Sequence, residues 1–368
     1  MSSTLRTPLY ARHVELGAKM MEFAGFSMPV HYSSIKIEHA AVRECAGVFD
    51  VSHMGQISIQ GPQSVPFLES LLTCHISTLE PGQVRYGLMC NEDGGCVDDV
   101  TVYRRAEHDF FLCVNAANLQ SGLGWILEHR PQGCTVHDES SSTGLVALQG
   151  PHSARILDQL IATNDSVKPS ALKRFRFSTW SWEQTSLCVS RTGYTGSDGF
   201  EIYIDSSATP NFFDALMETG APLGLVPAGL GARDTLRIEA ALPLYGHELD
   251  SETSPLDAGL EKFIKRKDGG FLGHEAMERR ATDPARPHLI GFELIDRGVA
   301  RAGYPIYSEE KVIGHVTSGT PSPTLGKSIG LGFVPHDQAK EGLVFSIDVR
   351  GRKIAAQRTK IPFVVKPK

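Results

Sequence analysis

A pair of adjacent acids behind a glycine turn is the first place where residue types suggest chemistry. The run Gly94-Gly-Cys-Val-Asp-Asp-Val-Thr-Val-Tyr103 reads as a turn feeding a strand, and successive side chains of a strand point to opposite faces. Cys96, Asp98, Val100 and Val102 therefore share one side, and Val97, Asp99, Thr101 and Tyr103 the other. The first row is apolar apart from Asp98 and is expected to face a core, which leaves Asp98 at the strand mouth in a turn role. The second is expected to line a pocket headed by Asp99, where a carboxylate can act as a base or as a fixed negative charge opposing a developing cation. Spacing alone does not overturn the ordinary structural use of Asp-Asp at a turn.

A second glycine-rich loop, Ser190-Arg-Thr-Gly-Tyr-Thr-Gly-Ser-Asp-Gly-Phe-Glu201, also enters a strand. Phe200, Ile202 and Ile204 take one face and leave Glu201 and Tyr203 on the other. A carboxylate beside an aromatic ring suits a flat heterocycle with adjacent N–H donors, a pterin for example, because its two oxygens accept parallel hydrogen bonds. An exposed Glu-Tyr strand face has the same pattern. The segment Pro227-Ala-Gly-Leu-Gly-Ala-Arg-Asp-Thr-Leu-Arg-Ile-Glu-Ala240 turns helical after its glycines, with Arg233 and Arg237 one turn apart on the same side, each able to fork onto a carboxylate of ligand or protein. Phe49-Asp-Val-Ser-His-Met-Gly55 sets a histidine at a strand end with no partner at ligand spacing, so His53 is expected to be a satisfied structural residue and not a metal ligand.

Several chemistries have no motif. Gly229-Leu-Gly231 lacks the third glycine of a dinucleotide loop, and neither a phosphate-binding G-x-x-x-x-G-K-[ST] nor a G-x-S-x-G nucleophile turn occurs. The net charge of -6 has the wrong sign for a protein that holds a phosphate backbone. No apolar run approaches the roughly 20 residues of a membrane span. The seven cysteines are scattered without a C-x-x-C pair, the pattern of reduced, buried thiols in an intracellular compartment. The hydroxyl-rich start, Met1-Ser-Ser-Thr-Leu-Arg6, lacks the apolar core of a secretory signal.

The elements that must carry these residues follow a repeated grammar. Gln60, Gly61, Pro62, Ser64, Leu68 and Leu71 match Gln149, Gly150, Pro151, Ser153, Leu157 and Leu160, each set reading as strand, turn and helix with the proline near the first helical position. Two related α+β units are expected in the first two-thirds of the 368 residues. Beyond a linker at 282–287, short strand-like runs at 289–294, 311–317, 328–334 and 343–349 alternate with Gly or Pro turns, and an antiparallel barrel or jelly roll is expected.

Together these motifs resemble one family, the glycine cleavage T-protein, through nearly the whole chain. Besides the segments already quoted, Thr7-Pro-Leu-Tyr-Ala-Arg-His13, Gly17-Ala-Lys-Met20, Val114-Asn-Ala-Ala-Asn118, Tyr245-Gly246 and Thr317-Ser-Gly-Thr-Pro-Ser-Pro-Thr-Leu-Gly-Lys327 carry the likeness. The family's usual Gly-Trp is Gly25-Phe26 here. The resemblance implies an α+β protein, a three-domain cloverleaf of two α/β folate-binding units with antiparallel sheets plus a C-terminal antiparallel β-barrel. Its boundaries would be 1–52 with 140–245, a ferredoxin-like 53–139, a connecting segment 246–281, and 282–368. It implies transfer of a methylene from the aminomethyl-lipoyl arm of a partner H-protein to tetrahydrofolate, the one-carbon acceptor substrate, with release of ammonia. The essential aspartate maps to Asp99. Folate contacts map to Tyr86, Tyr103, Asn115, Tyr194, Glu201 and Arg233, with Met54 and Leu236 as apolar neighbours. No metal is implied. The expected partners are lipoylated H-protein and, indirectly, the P- and L-proteins of the system, with the enzyme itself a monomer. Its compartment would be a mitochondrial matrix, or a bacterial cytoplasm as the alternative. Related activities of the fold are a tetrahydrofolate-dependent demethylase and a non-catalytic folate-binding relative. The latter bears a cysteine motif where this chain has Asp268-Gly-Gly-Phe-Leu-Gly-His-Glu275. Some members carry a folate-contacting tyrosine near the C-terminus, and the tail Pro362-Phe-Val-Val-Lys-Pro-Lys368 departs from that pattern.

Overall fold

The computed structural model describes residues 4–161, 167–265 and 267–365, and these form two compact units. The first takes in residues up to 68, 76–86 and 100–234; the second takes in 69–75, 87–99 and the chain from 235 onward.

The first unit is built on a six-stranded sheet in the order Phe177–Trp182, Thr185–Ser190, Gly199–Asp205, Thr143–Gln149, Ala46–Asp50, Leu225–Pro227. Neighbours run antiparallel except the last pair, which is parallel. Alternation along Gly199–Asp205 divides its side chains as the sequence requires. Phe200, Ile202 and Ile204 join Val146, Leu148, Phe212, Phe213 and Leu216 in one buried cluster, under the helices Ser153–Leu160 and Thr209–Gly220. Fully burying each such apolar side chain stabilises the fold by about 1.5–3 kcal/mol. Glu201 and Tyr203 are left on the opposite face. A five-stranded sheet has the order Val84–Cys90, Cys96–Ala106, Asp109–Val114, Gly55–Gln60, Thr135–Asp138, its first two strands running on into the second unit.

The repeated grammar appears as two strand–turn–helix passages, Gly55–Gln60 into Ser64–Leu71 and Thr143–Gln149 into Ser153–Leu160. In each, the serine N–H at the helix start donates to the carbonyl of the turn glycine, Ser64 to Gly61 at 2.9 Å and Ser153 to Gly150 at 3.1 Å. Pro62 and Pro151 stand two residues ahead of their helices, not at the first helical position. The bend is made by the glycines, at φ +117° and +130°, a conformation that L side chains avoid.

The second unit contains a closed barrel in the order Pro287–Leu294, Ser328–Pro335, Lys311–Pro321, Pro305–Ser308, Val344–Val349, Arg352–Thr359, antiparallel throughout. Its interior holds Ile290, Phe292, Ile306, Val316, Phe345, Ile347 and Ile354. The expected strands are present, and Pro305–Ser308 and Arg352–Thr359 add two that their polar residues hide. Phe363 of the tail packs with Leu289, Leu331 and Phe333; residues 366–368 lie outside the described residues. The guanidinium of Arg286, in the expected linker, reaches the Leu256 carbonyl at 3.1 Å and buried Asp257 at 3.3 Å.

Candidate active site

In the first unit the site grows from the polar face of the six-stranded sheet. Glu201 lies opposite Ser190 in one neighbouring strand and Ala147 in the other. That register brings Thr192, just beyond Ser190, within reach, and its Oγ1 donates to Glu201 Oε2 at 2.5 Å. Ser190 and Thr192 share a hydrogen bond of 2.9 Å. Burial raises the proton affinity of Glu201, while the Thr192 hydroxyl and the Arg233 charge pull it back down. Arg233, near the start of the helix Leu230–Glu239, stacks its guanidinium over the Tyr194 ring at 4.6 Å. Its Nη1 is buried and makes no hydrogen bond among the described residues. Burial also lowers the Arg233 pKa, opposed by Tyr194 and Glu201.

Tyr103 is fully buried, stacked on Phe111 with centroids 4.1 Å apart, and it receives the Tyr203 hydroxyl at 3.0 Å. Burial, and then the Glu201 charge, hold its phenol well above the ordinary range. Tyr86, Asn115 and Met54 are half-buried. They stand in the strand Val84–Cys90, ahead of the 3₁₀ turn Ala116–Asn118, and in the turn after Ala46–Asp50. All these residues belong to the first unit, together with Tyr194, Glu201 and Arg233.

Asp99 and Leu236 belong to the second unit. Along Cys96–Ala106 the predicted alternation holds: Cys96, Val100 and Val102 are buried, while Asp99 and Thr101 are half-buried. Asp98 corrects the expectation of a turn role. It lies inside the strand, 0% exposed, and its Oδ1 accepts the Asp99 N–H at 3.1 Å. The carboxylates of Asp98 and Asp99 add to the burial that pushes the phenol of Tyr245 up to about 12, and the Tyr245 hydroxyl donates to the Cys96 carbonyl at 3.3 Å. Leu236 is fully buried. Arg237 does not join Arg233 as a ligand fork. It is buried against Glu248 at 2.8 Å and the Ser318 hydroxyl at 2.7 Å, which makes it a structural pair.

His53 also differs from expectation. It is 3% exposed, and its Nδ1 makes no hydrogen bond among the described residues. Burial outweighs the attraction of Asp50 and, with the Arg233 charge, lowers its pKa to about 4, so the ring is neutral at physiological pH. Thr192 carries no signal in the sequence, because only the Ser190–Glu201 register brings it to the carboxylate. Among the described residues no group of three or more His, Cys, Asp or Glu could hold a metal, and no helix is long and apolar enough to cross a membrane.

A carboxylate, a stacked guanidinium with an uncommitted N–H, and an aromatic wall can bind a flat, polar, partly anionic ligand. Residues 9–268 match the GCVT N-terminal domain, and residues 288–364 match the glycine cleavage T-protein C-terminal barrel domain. The aminomethyltransferase of Bacillus pumilus is 44% identical over 366 residues, 99% of each chain. That of Moorella thermoacetica is 44% identical over 369 residues, covering both chains fully. The crystal structure of the glycine cleavage system aminomethyltransferase T from Bartonella henselae superposes with a TM-score of 0.91 at 33% identity, over 98% of each chain. The chain belongs to the glycine cleavage T-protein family.

Proposed function

We propose that this chain is the tetrahydrofolate-dependent aminomethyltransferase of a glycine cleavage system. The aminomethyl group arrives on the lipoyl arm of H-protein. Its carbon forms bonds to N5 and N10 of tetrahydrofolate, its bonds to nitrogen and sulfur break, and the two folate N–H hydrogens end on ammonia and the dihydrolipoyl thiol. The observation that carries the reading is Arg233, stacked on Tyr194 with a buried Nη1 that makes no hydrogen bond among the described residues. Glu201 would hold the N–H edge of the pterin, with Arg233 donating to an acceptor oxygen. Tyr86, Tyr103, Asn115, Tyr194, Met54 and Leu236 complete the folate contacts in this proposal.

Asp99 is the carboxylate we assign to the chemistry. Its work is to orient the folate and to oppose the positive charge that develops on the transferred carbon. Half-burial on the strand side away from the core supports that role. The partners we assign are lipoylated H-protein directly and the P- and L-proteins indirectly, with the enzyme a monomer. The four chain segments expected from the sequence stand as our proposed domain boundaries. The relatives named above are bacterial, which favours a bacterial cytoplasm and gives no support to a mitochondrial matrix.

The deciding experiment is methylenetetrahydrofolate formation from aminomethylated H-protein, run with the wild type and Asp99→Asn. Turnover that needs H-protein and falls at least about 100-fold in the variant, the range of a lost charged or acid–base group, is expected. Near-normal turnover by Asp99→Asn removes the assignment, and turnover with free methyl donors but not with H-protein favours a demethylase.

A further inference from the structure

His53 Nδ1 and Arg233 Nη1 are two buried nitrogens of the first unit that make no hydrogen bond among the described residues. A buried polar group without a partner costs about 1–3 kcal/mol, so a pair of them in one region demands a physical account. Their positions follow from the sheet. Ala46–Asp50 and Leu225–Pro227 are parallel neighbours with Val48 opposite Pro227, and the Ala228 N–H donates to the Val48 carbonyl at 2.9 Å. Both chains leave the sheet at the same end, one into the turn that holds His53 and the other into the helix that holds Arg233. Phe49 and Glu201 both lie opposite Ala147, two strands apart, about 10 Å at the usual strand spacing.

His53 is held firmly. The turn is closed by the Met54 N–H donating to the Val51 carbonyl at 3.0 Å. The ring packs against Phe23 with centroids 5.6 Å apart and Phe26 at 6.4 Å. Asp50, a nearby carboxylate, is occupied: Thr7 Oγ1 donates to it at 2.6 Å, His13 Nε2 lies 2.8 Å away, and the Ser52 N–H donates at 2.9 Å. A neutral imidazole adds no second positive charge beside Arg233.

We propose that His53 and Arg233 together receive the ring carbonyl oxygen of the pterin, Nδ1–H and Nη1–H donating to it, while Glu201 accepts from the neighbouring N–H edge. This rests on the reading of Glu201 as the pterin holder. The chemistry fits in both directions. A pterin presents an amino group and a ring N–H as adjacent donors, which match a carboxylate, and a carbonyl acceptor beside them, which matches N–H donors and repels a carboxylate. His53 thereby becomes a specificity determinant for an oxo ring over an amino ring.

The test is calorimetric binding of two probes, tetrahydrofolate and its 4-amino analogue, in which a donor replaces the carbonyl acceptor. His53→Phe keeps the aromatic packing and removes both nitrogens; His53→Asn restores a side-chain N–H near the Nδ1 position. Tetrahydrofolate affinity is expected to fall about 10-fold in His53→Phe, the size of one lost hydrogen bond, to recover in His53→Asn, and affinity for the amino analogue is expected to stay within about 3-fold of wild type throughout. Equal weakening of both probes, or no weakening of either, overturns the proposal. Should His53→Phe fail to fold, the imidazole ¹⁵N resonances of wild-type His53 decide: a shift with tetrahydrofolate and none with the amino analogue is expected, and identical responses overturn it. Wild-type protein that does not bind tetrahydrofolate at all refutes the reading of Glu201 instead, so the two failures are distinct.

Discussion

Burial disfavours the charged form of Glu201, and three neighbours ease that cost. Thr192 donates to one oxygen, Arg233 supplies positive charge, and Ser190 holds Thr192 in place. Removing the carboxylate leaves pterin N–H donors facing a gap, a penalty of about 1–3 kcal/mol. Glu201→Ala is therefore expected to lose roughly 10-fold or more in tetrahydrofolate affinity. Calorimetry checks it, and unchanged affinity would exclude Glu201 from the pterin edge. The paired aspartates separate at the same scale. Asp98 is fully buried and accepts the Asp99 N–H, whereas Asp99 keeps part of its surface open.

At the scale of elements, glycines decide whether the strand–turn–helix passages close. A Cβ on Gly150 would stand 2.6 Å from the Cys45 carbonyl oxygen and 2.8 Å from Ala46 Cα, at φ +130°. Both neighbours are backbone and cannot swing aside. Gly124, inside the helix Leu119–Glu128, would meet nothing within 4 Å and has ordinary helical dihedrals. Gly150→Ala is expected to destabilise by about 2 kcal/mol or more, and Gly124→Ala to stabilise by about 0.4–1 kcal/mol through the less disordered unfolded chain. Denaturant titration of the two variants beside wild type reads the opposite signs, and matching signs would contradict the geometry.

At the scale of the molecule, two histidines, one in each compact unit, weaken the fold as pH falls below neutral. Burial lowers both His53 and His288 to about 4, below the unfolded value near 6.5. The unfolded chain then binds more protons between those values, so their contribution is intact above about pH 6.5 and drains away as pH falls toward 4. Fully buried His53 accounts for up to about 3 kcal/mol, and half-buried His288 for less, because solvent screens it. Stability measured from pH 7 to 4.5 is expected to fall steadily, and His53→Phe to flatten the part of the slope that belongs to the first unit. An unchanged slope in that variant would mean the buried imidazole is not neutral in the native state.

The sequence by itself determined the strand and helix faces, because side-chain direction follows from period: the apolar row of Phe200, Ile202 and Ile204 against Glu201, the split of Asp98 from Asp99, and the short alternating runs of the barrel. Motif order through the chain determined the family. Tertiary structure alone decided what lay across strands or at chain reversals. Thr192 meets Glu201 only through hairpin register, Arg237 turns to Glu248 and Ser318, and Asp98 is buried within its strand instead of serving a turn. His53 and Arg233 share one end of the sheet because two segments far apart in the chain pair in parallel there. Pairing between distant segments leaves no period in a single sequence, which is why the partners of these polar groups were hidden while their elements were not.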